Sequence, residues 1–405
     1  MKECIGGAGM GGAAATGLVL TGGGARAAYQ VGVLQAVRLI LDAEGVSPQR
    51  SPFGVVCGTS AGAINATAFA CRADQFDEAL DRLSAVWENF SAEQVYQSDV
   101  LSVLRTGTRW LTMLTAGWAF RRSRKLKPRS LFDNTPLVNL LHNMIDLPRL
   151  ERALESGDLH ALAITASDYS SGRHVTFYQT PQVVKPWVRS QRIAVPDQIT
   201  IEHLVASSAI PFIFPATPLY LEGKLAYFGD GSMRQLAPIS PAIHLGAERV
   251  LVIGAGQINA ENRFVGPPSD SGNGINTYPT LAQIAGHAMS SIFLDSLAMD
   301  IERLERVNKT IGLIPSEVRR NSSLREIDVL VIAPSQRIDA IAAKHIEALP
   351  RPVRALLGAV GATEVKGAAL ASYLLFEKPF TSELIRLGFS DALKRRDDVK
   401  RFFGC

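Results

Sequence analysis

Cysteine is scarce in this sequence, which argues against two kinds of stabilised small domain. The 405 residues include four cysteines, and no two of them have the C-x-x-C spacing. That spacing is typical of zinc and redox sites, and disulfide scaffolds need a denser cysteine framework. We therefore predict neither a disulfide scaffold nor a zinc site. The cysteines are Cys4, Cys57, Cys71 and Cys405.

Long apolar runs are also lacking. No run approaches 18 consecutive apolar residues, so no membrane-spanning helix is predicted. Residues 1–15 are rich in glycine and alanine and lack the Leu-rich stretch of a secretory signal. We interpret them as a flexible N-terminal tail and expect a cytoplasmic location, with peripheral membrane contact left open.

Excess charge of one sign is absent except in one segment. The formal net charge of +4 gives no support for nucleic-acid binding. Residues 100–130, however, carry eight Lys or Arg and no acid, together with Trp110 and Trp118. This composition suits an element that contacts a membrane surface, and it equally suits a helical cap with a solvated basic end. Residues 92–130 are therefore predicted to be an interfacial or cap insertion.

The apolar pattern indicates one α/β domain. A hydrophobic content of 47% is enough for a large core. Short apolar runs alternate with stretches of helical periodicity, which favours parallel strands joined by helices. The predicted division is a core at 16–255, a flexible loop at 256–279, and a helical part at 280–405 packed on the core.

A candidate nucleophile lies at the end of the second predicted strand. An apolar run from Phe53 ends in Gly58-Thr59-Ser60-Ala61-Gly62, and an Ala-rich helical stretch follows. Strand, sharp turn and helix are the setting of the G-x-S-x-G nucleophile elbow, which raises a serine hydroxyl above the sheet edge. Ser60 is thus the candidate nucleophile. A serine that only caps the helix would give the same sequence pattern.

The first predicted strand leads into a second glycine-rich loop, formed by Gly22, Gly23, Gly24, Ala25 and Arg26. The spacing from Gly22 to Ala27 fits the G-x-G-x-x-G/A fingerprint of dinucleotide-binding proteins. That fold expects an acidic residue at the end of the second strand, where this sequence has the elbow instead. Backbone N–H groups at the start of a helix form a favourable binding site for an anion. If Ser60 is a nucleophile, the Gly23 and Gly24 amides are natural donors to a tetrahedral oxyanion.

A serine nucleophile also needs a base. None of the seven histidines lies in a motif that nominates it. Asp230 stands between two glycines at the end of a predicted strand, where its side chain would be exposed to a crevice, although an ordinary turn aspartate fits the same pattern.

Taken together, the segments Gly22–Ala27, Gly58–Gly62 and Asp230–Ser232 resemble those of the patatin-like phospholipases, as does the loop from Ala206 to Pro215. The resemblance implies a three-layer α/β/α sandwich with a mostly parallel central sheet and a Ser-Asp dyad that hydrolyses fatty acyl esters. Ser60 would be the nucleophile, Asp230 the base, and the first glycine loop the oxyanion hole, with Gly231 and Ser232 completing the aspartate loop. The sequence departs from the family pattern at two positions. Ala27 stands where the family commonly has glycine, and Ser232 stands where it commonly has glycine or alanine.

The resulting hypothesis is a phospholipase or lysophospholipase that needs no metal or cofactor. Two alternatives remain. One is an α/β-hydrolase with a Ser-Asp-His triad, in which His244 or His287 would be indispensable. The other is a membrane-surface binding protein with a vestigial hydrolase site.

Overall fold

A computed structural model describes residues 15–46, 48–98, 130–233, 235–257, 280–291, 296–319, 324–359, 361–362 and 367–405. The predicted N-terminal tail, the flexible loop at 256–279 and the basic segment at 100–130 lie almost wholly outside these residues.

Ten described strands form one sheet. Strands β10, β9, β1, β2 and β3 are neighbours in that order and run parallel, and β4 and β8 are antiparallel to β3. The sheet is therefore mostly parallel through its centre. The strands are β1 (Ala15–Leu20), β2 (Val55–Thr59), β3 (Ala161–Asp168), β4 (His174–Gln179), β5 (Val188–Arg189), β6 (Arg192–Pro196), β7 (Thr217–Leu221), β8 (Lys224–Asp230), β9 (Ala247–Ile253) and β10 (Asp328–Ile332).

Helices cover both faces of this sheet. Alternate residues of β1 enter different cores, Leu18 and Leu20 one core and Val19 the other, so neither face of the strand meets solvent. This is the predicted three-layer sandwich. The α-helices are α1 (Ala28–Ala43), α2 (Ala61–Ala70), α3 (Phe76–Glu88), α4 (Thr135–Met144), α5 (Leu147–Glu155), α6 (Ile201–Ser207), α7 (Ser240–His244), α8 (Leu281–Ser290), α9 (Ser296–Gly312), α10 (Ser316–Arg319), α11 (Ile338–His345), α12 (Arg351–Ala359), α13 (Ala368–Ala371), α14 (Lys378–Lys394) and α15 (Arg396–Phe403).

The C-terminal region joins the core through a strand and a helix. Strand β10 extends the sheet beside β9, and α14 packs along α1. The two helices approach closely at Gly32 and Gly388, where a Cβ atom would overlap the backbone of the facing helix. Glycine at both positions therefore permits backbone contact between the first helix and the last long helix.

One predicted helix ends earlier than expected. The apolar pattern predicts a helix over 363–375, whereas in the described residues helix α13 ends at Ala371. After it, the carbonyl oxygens of Tyr373 and Leu374 accept hydrogen bonds from Ala25 and from the Tyr96 hydroxyl. These distant donors take the place of intrahelical partners.

Candidate active site

Ser60 occupies a strained turn between β2 and α2. Its backbone angles are φ 55° and ψ −133°, a conformation that non-glycine residues rarely adopt. Glycines flank it for steric reasons, because a Cβ on Gly58 would overlap the start of α2 and one on Gly62 would overlap the Leu20 carbonyl. The elbow expected from the sequence thus has the geometry of a nucleophile turn.

The Ser60 hydroxyl donates a hydrogen bond of 2.5 Å to Asp230 Oδ2 across 170 residues of chain. The sheet brings the two together, since β2 and the end of β8 pair with successive parts of β3, Ala166 faces Asp230, and β4 occupies the other edge of β3. The Asp230 N–H donates to Ala209 O, which fixes the backbone of the aspartate loop.

The Asp230 carboxylate is wholly buried, and burial raises its pKa from 3.8 to about 6. Hydrogen bonds from the Ser60 hydroxyl and from the Ser232 N–H, which lies 2.8 Å from Oδ1, act in the opposite direction and lower the pKa. A carboxylate with this pKa is a stronger base than an exposed aspartate and is still mostly ionised at neutral pH.

Ser207 links the elbow to the aspartate loop, a role that no motif assigned to it. Its hydroxyl accepts the Ser60 N–H at 2.9 Å and donates to Thr165 O at 2.6 Å, and its carbonyl oxygen accepts the Gly231 N–H. Gly231 cannot carry a side chain here, because a Cβ would overlap Thr165 O. The only sequence signal was the resemblance of the loop that begins at Ala206.

The first glycine loop lies beside Ser60, and two of its backbone N–H groups donate hydrogen bonds within the protein. The Ala25 N–H donates to Tyr373 O at 3.1 Å, and the Arg26 N–H donates to Gly23 O at 3.2 Å. Of the five predicted oxyanion-loop residues, these two therefore have engaged N–H groups. Gly24 has φ 55° and lines the same pocket as Ser60.

An apolar pocket extends from Ser60. Its empty space, including the part open to solvent, is about 520 Å³. Aliphatic and aromatic side chains from α2, α3, α4 and the loop before β7 form most of its wall, and the polar side chains in the lining are those of Ser60, Asn65 and Ser208. The lining residues are Gly24, Ser60, Ala61, Ile64, Asn65, Val86, Trp87, Phe90, Val95, Leu137, Leu140, Met144, Ser208, Ile210, Phe214 and Phe376.

The family model for patatin-like phospholipases matches residues 18–243, more than half of the chain. The chain belongs to the patatin-like phospholipase family. A search of the curated proteins found no match.

Solved structures were compared with the chain as well. VipD from Legionella pneumophila is 14% identical with a TM-score of 0.34, covering 92% of this chain and 67% of VipD. Human GIVD cytosolic phospholipase A2 is 12% identical with a TM-score of 0.43, covering 96% of this chain and 62% of the human protein. This patatin-like chain thus spans 67% of the length of VipD and 62% of that of the human protein.

Among the described residues of this patatin-like protein, the hydrogen-bond partner of the Ser60 hydroxyl is Asp230, and no histidine makes a hydrogen bond to that hydroxyl. His244 stacks on Trp187 with ring centroids 4.6 Å apart, and His287 lies in α8. His174 is buried, and its Nε2 lies 2.9 Å from Gly231 O, one residue beyond Asp230. Burial lowers the His174 pKa to about 4, so this ring is neutral at physiological pH.

A buried polar network braces the glycine loop against the pocket wall. The Gln30 amide donates to Thr21 O at 2.7 Å, Asn65 donates to Gln30, and the Trp87 indole donates to Asn65. The network joins the first glycine loop to α2 and α3, and sequence patterns did not single out any of its side chains. On the other side of the elbow, the Gln235 amide donates to the Thr59 hydroxyl at 2.7 Å.

The described part of the chain contains no group of three His, Cys, Asp or Glu arranged to hold a metal ion. None of its helices is long and apolar enough to span a membrane.

Proposed function

We propose that this protein is a serine lipid acyl hydrolase that cleaves fatty acyl esters of phospholipids or lysophospholipids through a Ser60–Asp230 dyad and an acyl-enzyme. The observation that carries the proposal is the hydrogen bond from the Ser60 hydroxyl to the buried Asp230 carboxylate, with Ser60 lining an apolar pocket. Membership of the patatin-like phospholipase family supports a lipid acyl hydrolase in general.

In the acylation step, Ser60 Oγ attacks the ester carbonyl carbon while its proton passes to Asp230 Oδ2. The tetrahedral intermediate then expels the alcohol, whose oxygen takes the proton from Asp230, and the acyl group remains on Ser60. In deacylation, water attacks the acyl carbon and Asp230 accepts its proton. Collapse of this intermediate releases the fatty acid and returns the proton to Ser60 Oγ.

The negative charge on the intermediate needs donors next to Ser60. The Gly23 and Gly24 amides precede the two N–H groups that are already engaged, and Gly24 lines the pocket. We assign these two amides as the oxyanion donors, each supplying roughly 3 kcal/mol of barrier reduction. Gly22, Ala25 and Arg26 would then shape the loop without donating to the oxyanion.

The apolar pocket suits the acyl chain of the substrate. Its wall is formed by side chains such as Ile64, Leu137 and Phe214, which offer no hydrogen bonds to an alkyl chain. Transfer of each methylene from water to such a wall contributes about 0.8 kcal/mol. We therefore expect long acyl esters to be bound more tightly than short ones.

Access to a bilayer is the second part of the proposal. Phe212 is 80% exposed on the loop whose neighbours Ile210 and Phe214 line the pocket. An exposed aromatic side chain beside the pocket suits shallow insertion among lipid headgroups. Together with the basic segment at 100–130, this supports peripheral membrane contact, which flotation with anionic vesicles would measure.

The test of function is fatty-acid release from defined phospholipids, lysophospholipids and neutral glycerides, with Ser60→Ala as the control. We expect release from at least one phospholipid or lysophospholipid by the wild type and none by Ser60→Ala. Indispensability of His244 or His287 in single alanine variants would favour the triad alternative. Vesicle binding without release from any lipid would favour a vestigial site.

A further inference from the structure

The segment from Ala368 to Phe376 lies beyond the family match but contacts the catalytic site at several points. Tyr373 O accepts the Ala25 N–H, and Phe376 lines the apolar pocket. The contact at the loop is tight, because a Cβ on Gly24 would overlap Tyr373 O. This C-terminal segment therefore lies directly against the first glycine loop.

Arg26 makes the strongest contacts with this segment. It is only 4% exposed, its Nε donates to Ser372 Oγ at 2.8 Å, and an Nη2 group donates to Ala369 O at 3.3 Å. Its guanidinium carbon also lies 4.0 Å from the centre of the Tyr373 ring. A planar cation that is both stacked and hydrogen-bonded is held in one orientation, and lysine does not reproduce that geometry.

The direction of Arg26 separates two roles that a basic residue in this loop might have. A substrate-binding arginine would line the pocket, whereas the described pocket lining includes Gly24 and not Arg26. The side chain instead points to Ser372 and Tyr373, whose backbone and hydroxyl groups are buried. Its contacts therefore fix the loop itself.

We propose that residues 368–376 are a positioning element of the catalytic site, in which Ser372 and Tyr373 anchor Arg26 and Ala25 and so hold the Gly23 and Gly24 N–H groups toward Ser60. This inference rests on the proposed function for its kinetic consequence. The anchoring itself does not depend on it. Arg26 is accordingly a positioning residue that does not contact the substrate.

Kinetics with a soluble short-chain ester separate positioning from substrate binding. Arg26→Ala should lower kcat by roughly 10- to 100-fold, because a displaced oxyanion donor loses much of its effect. The KM should change less than about threefold, since the acyl pocket is intact. Arg26→Lys should restore only part of the loss, and Ser372→Ala should give a smaller decrease in kcat.

Tyr29→Phe is the matched control. It removes a hydrogen bond of 3.2 Å from the Tyr29 hydroxyl to Asp391, which also joins the N-terminal region to a C-terminal helix but lies outside the catalytic site. Its stability cost should be modest, like that of Ser372→Ala, because each variant loses only hydrogen bonds of one hydroxyl group. We expect its kcat to equal that of the wild type.

Hydrogen exchange of the peptide spanning residues 17–34 provides a readout that does not require activity. Loss of the anchor should speed exchange at the Ala25 amide about tenfold in Arg26→Ala and Ser372→Ala, but not in Tyr29→Phe. If a folded Arg26→Ala keeps wild-type exchange in this loop, or a kcat within twofold of an active wild type, the proposal is wrong. If Arg26→Ala does not fold, Ser372→Ala decides by the same criteria. Inactivity of the wild type would refute the proposed function, and the exchange result would still decide the anchoring.

Discussion

Residues 18–243 and residues 367–405 meet at the same site but contribute to it by different physical means. The first region supplies the Ser60 hydroxyl, the Asp230 carboxylate and most of the pocket wall. The second supplies no reacting group in our account; it supplies contacts to Arg26, Ala25 and the pocket.

One contribution is visible in the sequence and the other is not, because only the first depends on residues at fixed local spacing. The elbow requires glycines at fixed offsets, since side chains there would overlap backbone atoms, and fixed offsets leave a motif. The anchor joins Arg26 to Ser372 across 346 residues, and neither partner needs a particular neighbour. Such a contact leaves no local pattern.

We retain the division into a core at 16–255 and a helical part at 280–405 as a proposal.

Changing the reacting carboxylate should have the largest effect. Asp230→Asn removes the base while keeping a similar shape, and we expect kcat for ester hydrolysis to fall by roughly 10³- to 10⁴-fold. The measurement is steady-state hydrolysis, with circular dichroism to verify folding. Activity within tenfold of the wild type would mean that another group accepts the Ser60 proton.

A substitution at the contact between the two regions should lower kcat by an intermediate amount. Gly24→Ala introduces a side chain that overlaps Tyr373 O at a backbone φ of 55°, so we expect kcat to fall roughly 100-fold through displacement of the loop. Gly45→Ala is the matched control, because Gly45 also has a positive φ (76°) but no atom lies within 4 Å of the added Cβ. Its effect should be limited to a stability loss of about 1 kcal/mol. Equal kcat values for the two variants would contradict contact between the regions at this loop.

A change in the pocket wall should alter chain-length preference. Ile64→Trp narrows the pocket, and excluding two or so methylenes should lower the preference for long over short acyl esters by roughly 10- to 30-fold. The measurement is the ratio of kcat/KM for a long and a short ester of the same alcohol. Leu39→Trp, at a half-exposed position on α1, is the surface control. An unchanged ratio in Ile64→Trp would place the acyl chain elsewhere.

The smallest expected effect is that of pH on the wild type. Asp230 must be ionised to accept a proton, and burial raises its pKa to about 6. Activity should therefore be lost as pH falls through that value, with kcat/KM about tenfold lower at pH 5 than at pH 7. A profile that stays flat down to pH 4 would show that the base is not a buried carboxylate.

Sequence patterns located the elements of the candidate site better than the residues that support them. The βα units, the elbow and the aspartate loop were predictable because strand periodicity and glycine requirements are local. Ser207 and the network of Gln30, Asn65 and Trp87 were not predictable, because a buried polar side chain is recognised only by the partner that folding brings to it. The end of helix α13 at Ala371 was not predictable for the same reason, since the carbonyl oxygens that follow it accept hydrogen bonds from Ala25 and Tyr96.

The central claim is that Asp230 activates Ser60, and covalent labelling tests it most directly. An alkyl fluorophosphonate reacts with an activated serine hydroxyl, and peptide mass spectrometry locates the adduct. We predict a stoichiometric adduct on Ser60 in the wild type and labelling slowed at least 100-fold in a folded Asp230→Asn variant. An adduct on a different residue, or equal labelling rates in the two proteins, would contradict the account.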